Sequence, residues 1–189
     1  MSYVLFISEE KIKNSTSLSG SVDMDFILPY IKTSQRMYIE PKLGTDLFEA
    51  LQTKITAGSL SGIYQTLVDD YIMETLVHYS FYAALPFLRV RVSNNGVGIK
   101  TSENIQALTN EEYKDLRQEI INTAEFFLER MVRFIRHNTA SLPEYSTSSG
   151  ADLSPTKSAY YSGLNLETQK DRVKGLTLDD FLTPDLKKY

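Results

Sequence analysis

The stretch from Ile63 to Leu88 constrains the fold most. Its centre reads Tyr71-Ile-Met-Glu-Thr-Leu-Val-His-Tyr-Ser-Phe-Tyr-Ala-Ala-Leu-Pro-Phe-Leu88, and only Glu74 and His78 in it can carry charge near neutral pH. A helix that is apolar nearly all round needs other elements packed around it. As a membrane span it is unconvincing. Glu74, Thr75, His78 and Ser80 interrupt it, and Pro86 is expected to end it near the minimum spanning length. The expected fold is therefore mainly α: a helical bundle around this central helix, with one β-hairpin and an extended C-terminal arm.

The flanks supply the bundle. Tyr3 to Ile7 is a short β-prone run. Ser8 reads as the N-cap of a short helix, with Glu9 and Glu10 at its positive end. Phe26, Ile27, Tyr30, Ile31, Ser34 and Tyr38 recur at helical spacing, and Pro29 should kink that helix or mark its regular start. Pro41 disfavours helical geometry at Glu40, so the helix is expected to stop there and turn through Gly44. Thr45 reads as the next N-cap, leading into Leu47, Phe48, Leu51 and Ile55. After the central helix, Val90 and Val92 alternate with Arg89 and Arg91, and Asn95-Gly96 offers the positive φ angles of a type I′ turn. A hairpin is expected over about residues 89–100, leaning on the helices or on a partner because a lone hairpin is marginal in water. Thr109 should cap a last long helix, in which Leu116, Ile120, Ala124, Phe127, Met131 and Phe134 or Ile135 keep an i+3/i+4 rhythm. It is expected to end near Asn138.

Beyond Thr139 the texture becomes polar, yet apolar residues persist: Tyr145, Tyr160, Tyr161, Leu164, Leu166, Val173, Leu176, Phe181, Leu182 and Leu186. Ordering backbone costs about 1–2 kcal/mol per residue. Burying a large apolar side chain on a neighbour returns about 1.5–3 kcal/mol. The expected division is a helical body over residues 1–138 and an arm over 139–189 that docks on neighbouring subunits.

Several chemistries are excluded or disfavoured. There is no cysteine, which removes disulfides and thiolate sites. Hydrophobic content of 42% supports a packed core, and a net charge of −4 argues against a chain built mainly to grip nucleic acid. The first ten residues lack the pattern of a signal peptide, so the expected compartment is the cytoplasm or a particle assembled in it. Glu74 and His78 sit at i, i+4, but only one other histidine, His137, exists to join them. Neither a metal site nor a cofactor is expected. Asp69-Asp70 and Asp179-Asp180 suit helix surfaces better than acid–base pairs. No phosphate loop or nucleophile elbow occurs, so no catalytic residue is expected and the chain is read as not an enzyme. Arg130, Arg133 and Arg136 suit the negative end of the last helix. The alternative reading of these arginines is a soluble dimeric DNA-binding or regulatory module.

Ile27-Leu-Pro-Tyr-Ile-Lys-Thr-Ser-Gln-Arg-Met-Tyr-Ile-Glu-Pro-Lys-Leu-Gly-Thr-Asp-Leu-Phe-Glu-Ala-Leu51 resembles the opening helices of small head–tail connector proteins of tailed bacteriophages. The group it resembles comes from phages of gut Bacteroidetes, including crAss-like phages. There a helix with a glutamine leads into an Ile-x-Pro-x-Leu-Gly turn and a Leu-rich helix. Gln35, Ile39, Pro41, Leu43, Gly44, Leu47 and Leu51 stand at those places. The similarity spreads from Phe6 to Tyr145, including Arg136-His-Asn-Thr-Ala-Ser-Leu-Pro-Glu-Tyr145. It implies a structural virion protein at the head–tail junction, a neck adaptor assembled in the host cytoplasm. Its expected partners are copies of itself in a twelve-fold ring, the portal protein above and a neck or tail protein below. DNA would pass through the channel without sequence-specific binding, and no membrane is involved. Expected contact residues are Arg89, Arg91, Asn94 and Asn95 in the hairpin and Tyr160, Tyr161, Leu164, Phe181 and Leu182 in the arm, with Ile39, Pro41, Leu43 and Gly44 as the family-like turn.

Overall fold

The computed structural model describes residues 3–17, 22, 24–93, 96–99, 108–147, 149 and 153–156. These are mainly helical. Helix α1 spans Glu9–Ser15, and the Ser8 side chain accepts from the Lys11 N–H as an N-cap. Helix α2 covers residues 24–43 and contains a wide turn of π geometry at Gln35–Ile39. Helix α3 is Thr45–Thr56. Helix α4 covers residues 62–89, with a second π turn at Leu67–Ile72. Two short segments follow, β1 (Val90–Ser93) and β2 (Gly96–Ile99), which pair antiparallel with Val90 opposite Ile99. Helix α5 is Asn110–His137, and a last short helix, α6, is Pro143–Ser146.

Helix α4 occupies the centre as its composition requires. It packs against α2, α5 and α1. Leu67, Val68, Ile72, Leu76, Val77 and Ala84 are fully enclosed. Two of its polar groups have specific partners. Thr75 donates to the Tyr71 carbonyl at 2.7 Å, and the Ser34 hydroxyl donates to the Tyr79 carbonyl at 3.2 Å. Ser34 is small, so α2 approaches α4 closely at this crossing. Tyr38 of α2 stacks on Tyr79 with ring centroids 3.9 Å apart.

Both prolines expected to end helices lie inside them. Pro41 follows the π turn, where Glu40 N–H bonds five residues back to the Gln35 carbonyl. That widened turn relieves the clash a proline ring makes with the carbonyl four residues before it. Helix α2 therefore runs to Leu43 and is stopped by Gly44. Pro86 falls within the last turn of α4, which continues to Arg89.

The N-terminal run joins no sheet. Gln35 and Gln52, both buried, hold it by side-chain amides. Gln35 accepts from Phe6 N–H at 3.0 Å and donates to the Val4 carbonyl at 2.9 Å. Gln52 accepts from Val4 N–H at 2.8 Å and donates to the same carbonyl at 2.7 Å. The two amides thus supply the hydrogen bonds a neighbouring strand would have given. Phe6 then packs edge-on against Phe48.

In α5 Thr109 and Glu112 form the expected capping box. All its buried residues lie from Ile120 onward. Leu116, expected in the core, is exposed, while Leu128 and Val132 are buried. Phe26, expected on the buried face of α2, is also exposed. The body does not stop at residue 138. Leu142 and Tyr145 are buried in the same core, and the Tyr64 hydroxyl donates to the Glu144 carboxylate at 2.7 Å. Residues to 159 cluster with the body, and 160–189 form a separate unit outside the described residues.

Candidate interaction site

The family-like turn is a built junction. Helix α2 ends and α3 begins around one residue, Gly44, whose φ of 77° and ψ of 159° lie where essentially only glycine is found. Ile39 and Leu43 on one side are fully buried anchors in the core. Helix ends leave backbone groups without partners inside the helix. Here a later segment supplies those partners. Thr45 N–H donates to the Leu153 carbonyl at 3.0 Å, and Leu153 N–H donates to the Thr45 hydroxyl oxygen at 3.0 Å. Thr156 N–H donates to the Pro41 carbonyl at 2.8 Å. One strap, residues 153–156, therefore caps the end of α2 and the start of α3 together.

Asp46 extends the junction. Its carboxylate accepts from the Ser149 N–H at 2.9 Å and from the Ser149 hydroxyl. Those bonds, the side-chain one first, hold its carboxyl below the usual carboxylate range. Pro155 lies directly over Gly44: a Cβ there would stand 2.7 Å from the Pro155 Cγ and 2.8 Å from its Cδ. Thr45 is consequently not the N-cap expected of it. Gly44 holds the cap position, and the Thr45 hydroxyl serves the strap instead.

The hairpin arginine is engaged elsewhere. Arg89 donates from Nη2 to the Leu108 carbonyl at 3.1 Å and to Asn110 Oδ1 at 2.9 Å. Its guanidinium lies 4.7 Å from the Tyr113 ring centroid. It ties the end of α4 to the start of α5. Arg91 pairs through its backbone with Gly98, and its side chain is not among those described. Asn94, Asn95, Tyr160, Tyr161, Leu164, Phe181 and Leu182 lie outside the described residues, as does Asp179-Asp180.

The groups weighed for chemistry have structural partners. Glu74 pairs with Lys11 at 2.8 Å, and His78 stacks on Phe127 with centroids 5.0 Å apart. Burial pushes the His78 pKa down, against the opposing pull of Glu74. His78 lines a cleft of about 220 Å³ with Ser15, Phe81 and Glu119. Among the described residues no cluster could hold a metal ion. Arg130 lies over Tyr71 at 4.8 Å, and Arg133 bonds Glu129, so two of the three helix-end arginines are held within the chain.

Comparison with protein families decides the family. A family of unknown function, DUF6712, matches residues 39–154. The chain belongs to DUF6712. The DUF6712 span begins at Ile39 and ends at Ser154, so the turn and the first two residues of the strap that closes on it lie at its two ends. No curated protein and no solved structure matches this DUF6712 chain. Among its described residues no helix is long and apolar enough to cross a membrane.

Sequence reasoning passed over four features of the site: Asp46 with Ser149, the Leu153–Thr156 strap, the Gln35–Gln52 grip, and an exposed aromatic row. In that row Phe26, Tyr30 and Phe87 lie in sequence, with centroids 5.6 and 5.0 Å apart. Phe26 is 37% and Phe87 45% exposed. The i, i+4 spacing of Phe26 and Tyr30 was the available signal for the row. The strap left no periodic trace.

Proposed function

We propose that this protein is a structural adaptor at the head–tail junction of a tailed phage. It would assemble as a ring beneath the portal and extend the DNA channel to a neck or tail protein. The observation that carries this reading is the turn Ile39-Glu-Pro-Lys-Leu-Gly44. These residues carry the resemblance to connector proteins, and in the fold they form the junction on which the C-terminal strap closes. A decorative surface turn would give the resemblance less weight.

Other features support the same reading. The aromatic row of Phe26, Tyr30 and Phe87 offers apolar surface of the kind that marks interaction sites. Rings are heterologous assemblies, in which one patch meets a different patch on the next copy. The paired segments β1 and β2 are the hairpin of this reading and would reach a neighbour or the channel. Residues 160–189 are its arm. The net charge of −4 suits a channel through which DNA slides. The DNA-binding alternative would use Arg130 and Arg133, which are already committed to Tyr71 and Glu129.

The test is negative-stain electron microscopy of the purified chain alone and mixed with a tailed-phage portal protein. Rings or a portal–ring complex are expected. Their absence at micromolar concentration overturns the reading. A salt-sensitive shift of duplex DNA that disappears on R130A/R133A/R136A substitution would favour the alternative.

A further inference from the structure

We propose that the turn at Gly44 is a docking site for an extended Leu-(Ser/Thr)-Pro peptide, and that it has two ligands in this sequence. Leu153-Ser154-Pro155 fills it within the chain. Leu182-Thr183-Pro184 fills it from a second copy. The site stands whether or not the chain is a phage adaptor.

The geometry defines what the site reads. Thr45 engages both backbone groups of the residue two before the proline, Leu153. The proline packs on Gly44, where any side chain would collide with it. The Pro41 carbonyl takes the N–H of the residue after the proline. The ligand must therefore be extended, hold proline at one fixed place, and have a residue other than proline after it. Leu153 is 40% exposed, so the backbone and the proline carry more of the recognition than the leucine does.

The chain has six prolines. Pro29, Pro41, Pro86 and Pro143 lie within helices. The other two share one pattern: Leu153-Ser154-Pro155-Thr156 and Leu182-Thr183-Pro184-Asp185. Both have leucine two before, a β-hydroxyl residue one before, and a residue with an N–H after. One difference ranks them. Ser149, which anchors the strap to Asp46, stands four residues before Leu153, whereas Leu178 stands four before Leu182. The distal motif forgoes that anchor.

Tether lengths then decide who binds where. Six residues separate Thr147 from Leu153, and loop closure favours the shorter tether, so the proximal motif holds its own turn. Twenty-six residues from Thr156 to Leu182 span at most about 85–95 Å, and roughly 25–30 Å on average if flexible. A second copy held within that distance would bring its turn into reach. Holding copies side by side raises the motif to a local concentration in the millimolar range, where it competes with the strap for the turn.

The test uses full-length chains. A fluorescent peptide of residues 176–189 is titrated into wild type and into a chain carrying P155E, T156P and P184E, which vacates the turn and silences the internal competitor. Binding at least tenfold tighter to the vacated chain is expected. It should be lost with T45V in that chain or with P184E in the peptide, and tightened about two- to tenfold by L178S in the peptide, the worth of the regained hydrogen bonds. Equal affinity for both chains, or no effect of P184E, overturns the proposal. Should the vacated chain not fold, a second measurement decides. The protein has no cysteine, so a D46C chain mixed with an L178C chain should form a disulfide between copies on oxidation. A yield no higher than that of an L178C/P184E chain overturns the proposal.

Discussion

At the scale of single residues, conformation and burial make sharper demands than charge. Gly44 is held in a backbone region closed to other residues and lies under Pro155. We expect G44A to lower stability by about 1–3 kcal/mol from backbone strain alone, read from urea unfolding. Adding P155A should recover only the contact part of the loss. Gln35 is the second demanding residue. Replacing it with Leu leaves Phe6 N–H without its partner, and an unmet buried group costs about 1–3 kcal/mol. Its role was hidden in the sequence, because a glutamine in an apolar helical face gives no hint of which distant backbone it will grip. His78 is different: its place on the apolar central helix was readable, and its ring stacks on Phe127 of α5. Burial lowers its folded pKa below the usual histidine value of about 6.5. The unfolded chain therefore binds the extra proton first, so stability falls as pH drops below about 6.5. H78F should remove that component of the acid-side decline in melting temperature, while leaving the ring stack in place. An unchanged pH profile would count against the burial of His78 as its cause.

At the scale of elements, the long periodic helices were legible and their ends were not. The apolar α4 and the amphipathic α5 follow from residue spacing, and Thr109 with Glu112 marks a start that the capping box then forms. Pro41 misled because a proline's effect depends on the turn before it, and a π turn has no sequence signature. The strap escaped for a related reason. Its contacts join backbone and short polar side chains more than a hundred residues apart, and residues 149–156 carry no period. The boundary expected at residue 138 failed because two buried residues, Leu142 and Tyr145, are too few to register as a pattern. L142A should cost about 2–5 kcal/mol in urea unfolding, the usual loss for a buried leucine. A loss under about 0.5 kcal/mol would return these residues to an arm.

At the scale of the whole molecule, α4 gathers the other helices but offers no chemistry of its own. What it holds in place is the junction at Gly44 and the aromatic row at the ends of α2 and α4. Surface substitution in that row separates assembly from folding. F26S/F87S should leave the unfolding midpoint within about 0.5 kcal/mol of wild type, as surface changes usually do. If the row is a subunit contact, the same variant should shift light-scattering mass toward the monomer. Unchanged mass would place the contact elsewhere.

The grip on the N-terminal run has one more consequence. Chain ends ordinarily fray, and amides outside regular elements ordinarily trade their hydrogens with solvent within moments. Val4 and Phe6 belong to no helix or strand, yet their N–H groups are bonded to amides inside the core. In a deuterium-labelling experiment they should stand out as an island of slow exchange beside the terminus. That island should vanish at Phe6 in Q35L and at Val4 in Q52L, each glutamine timing one hydrogen.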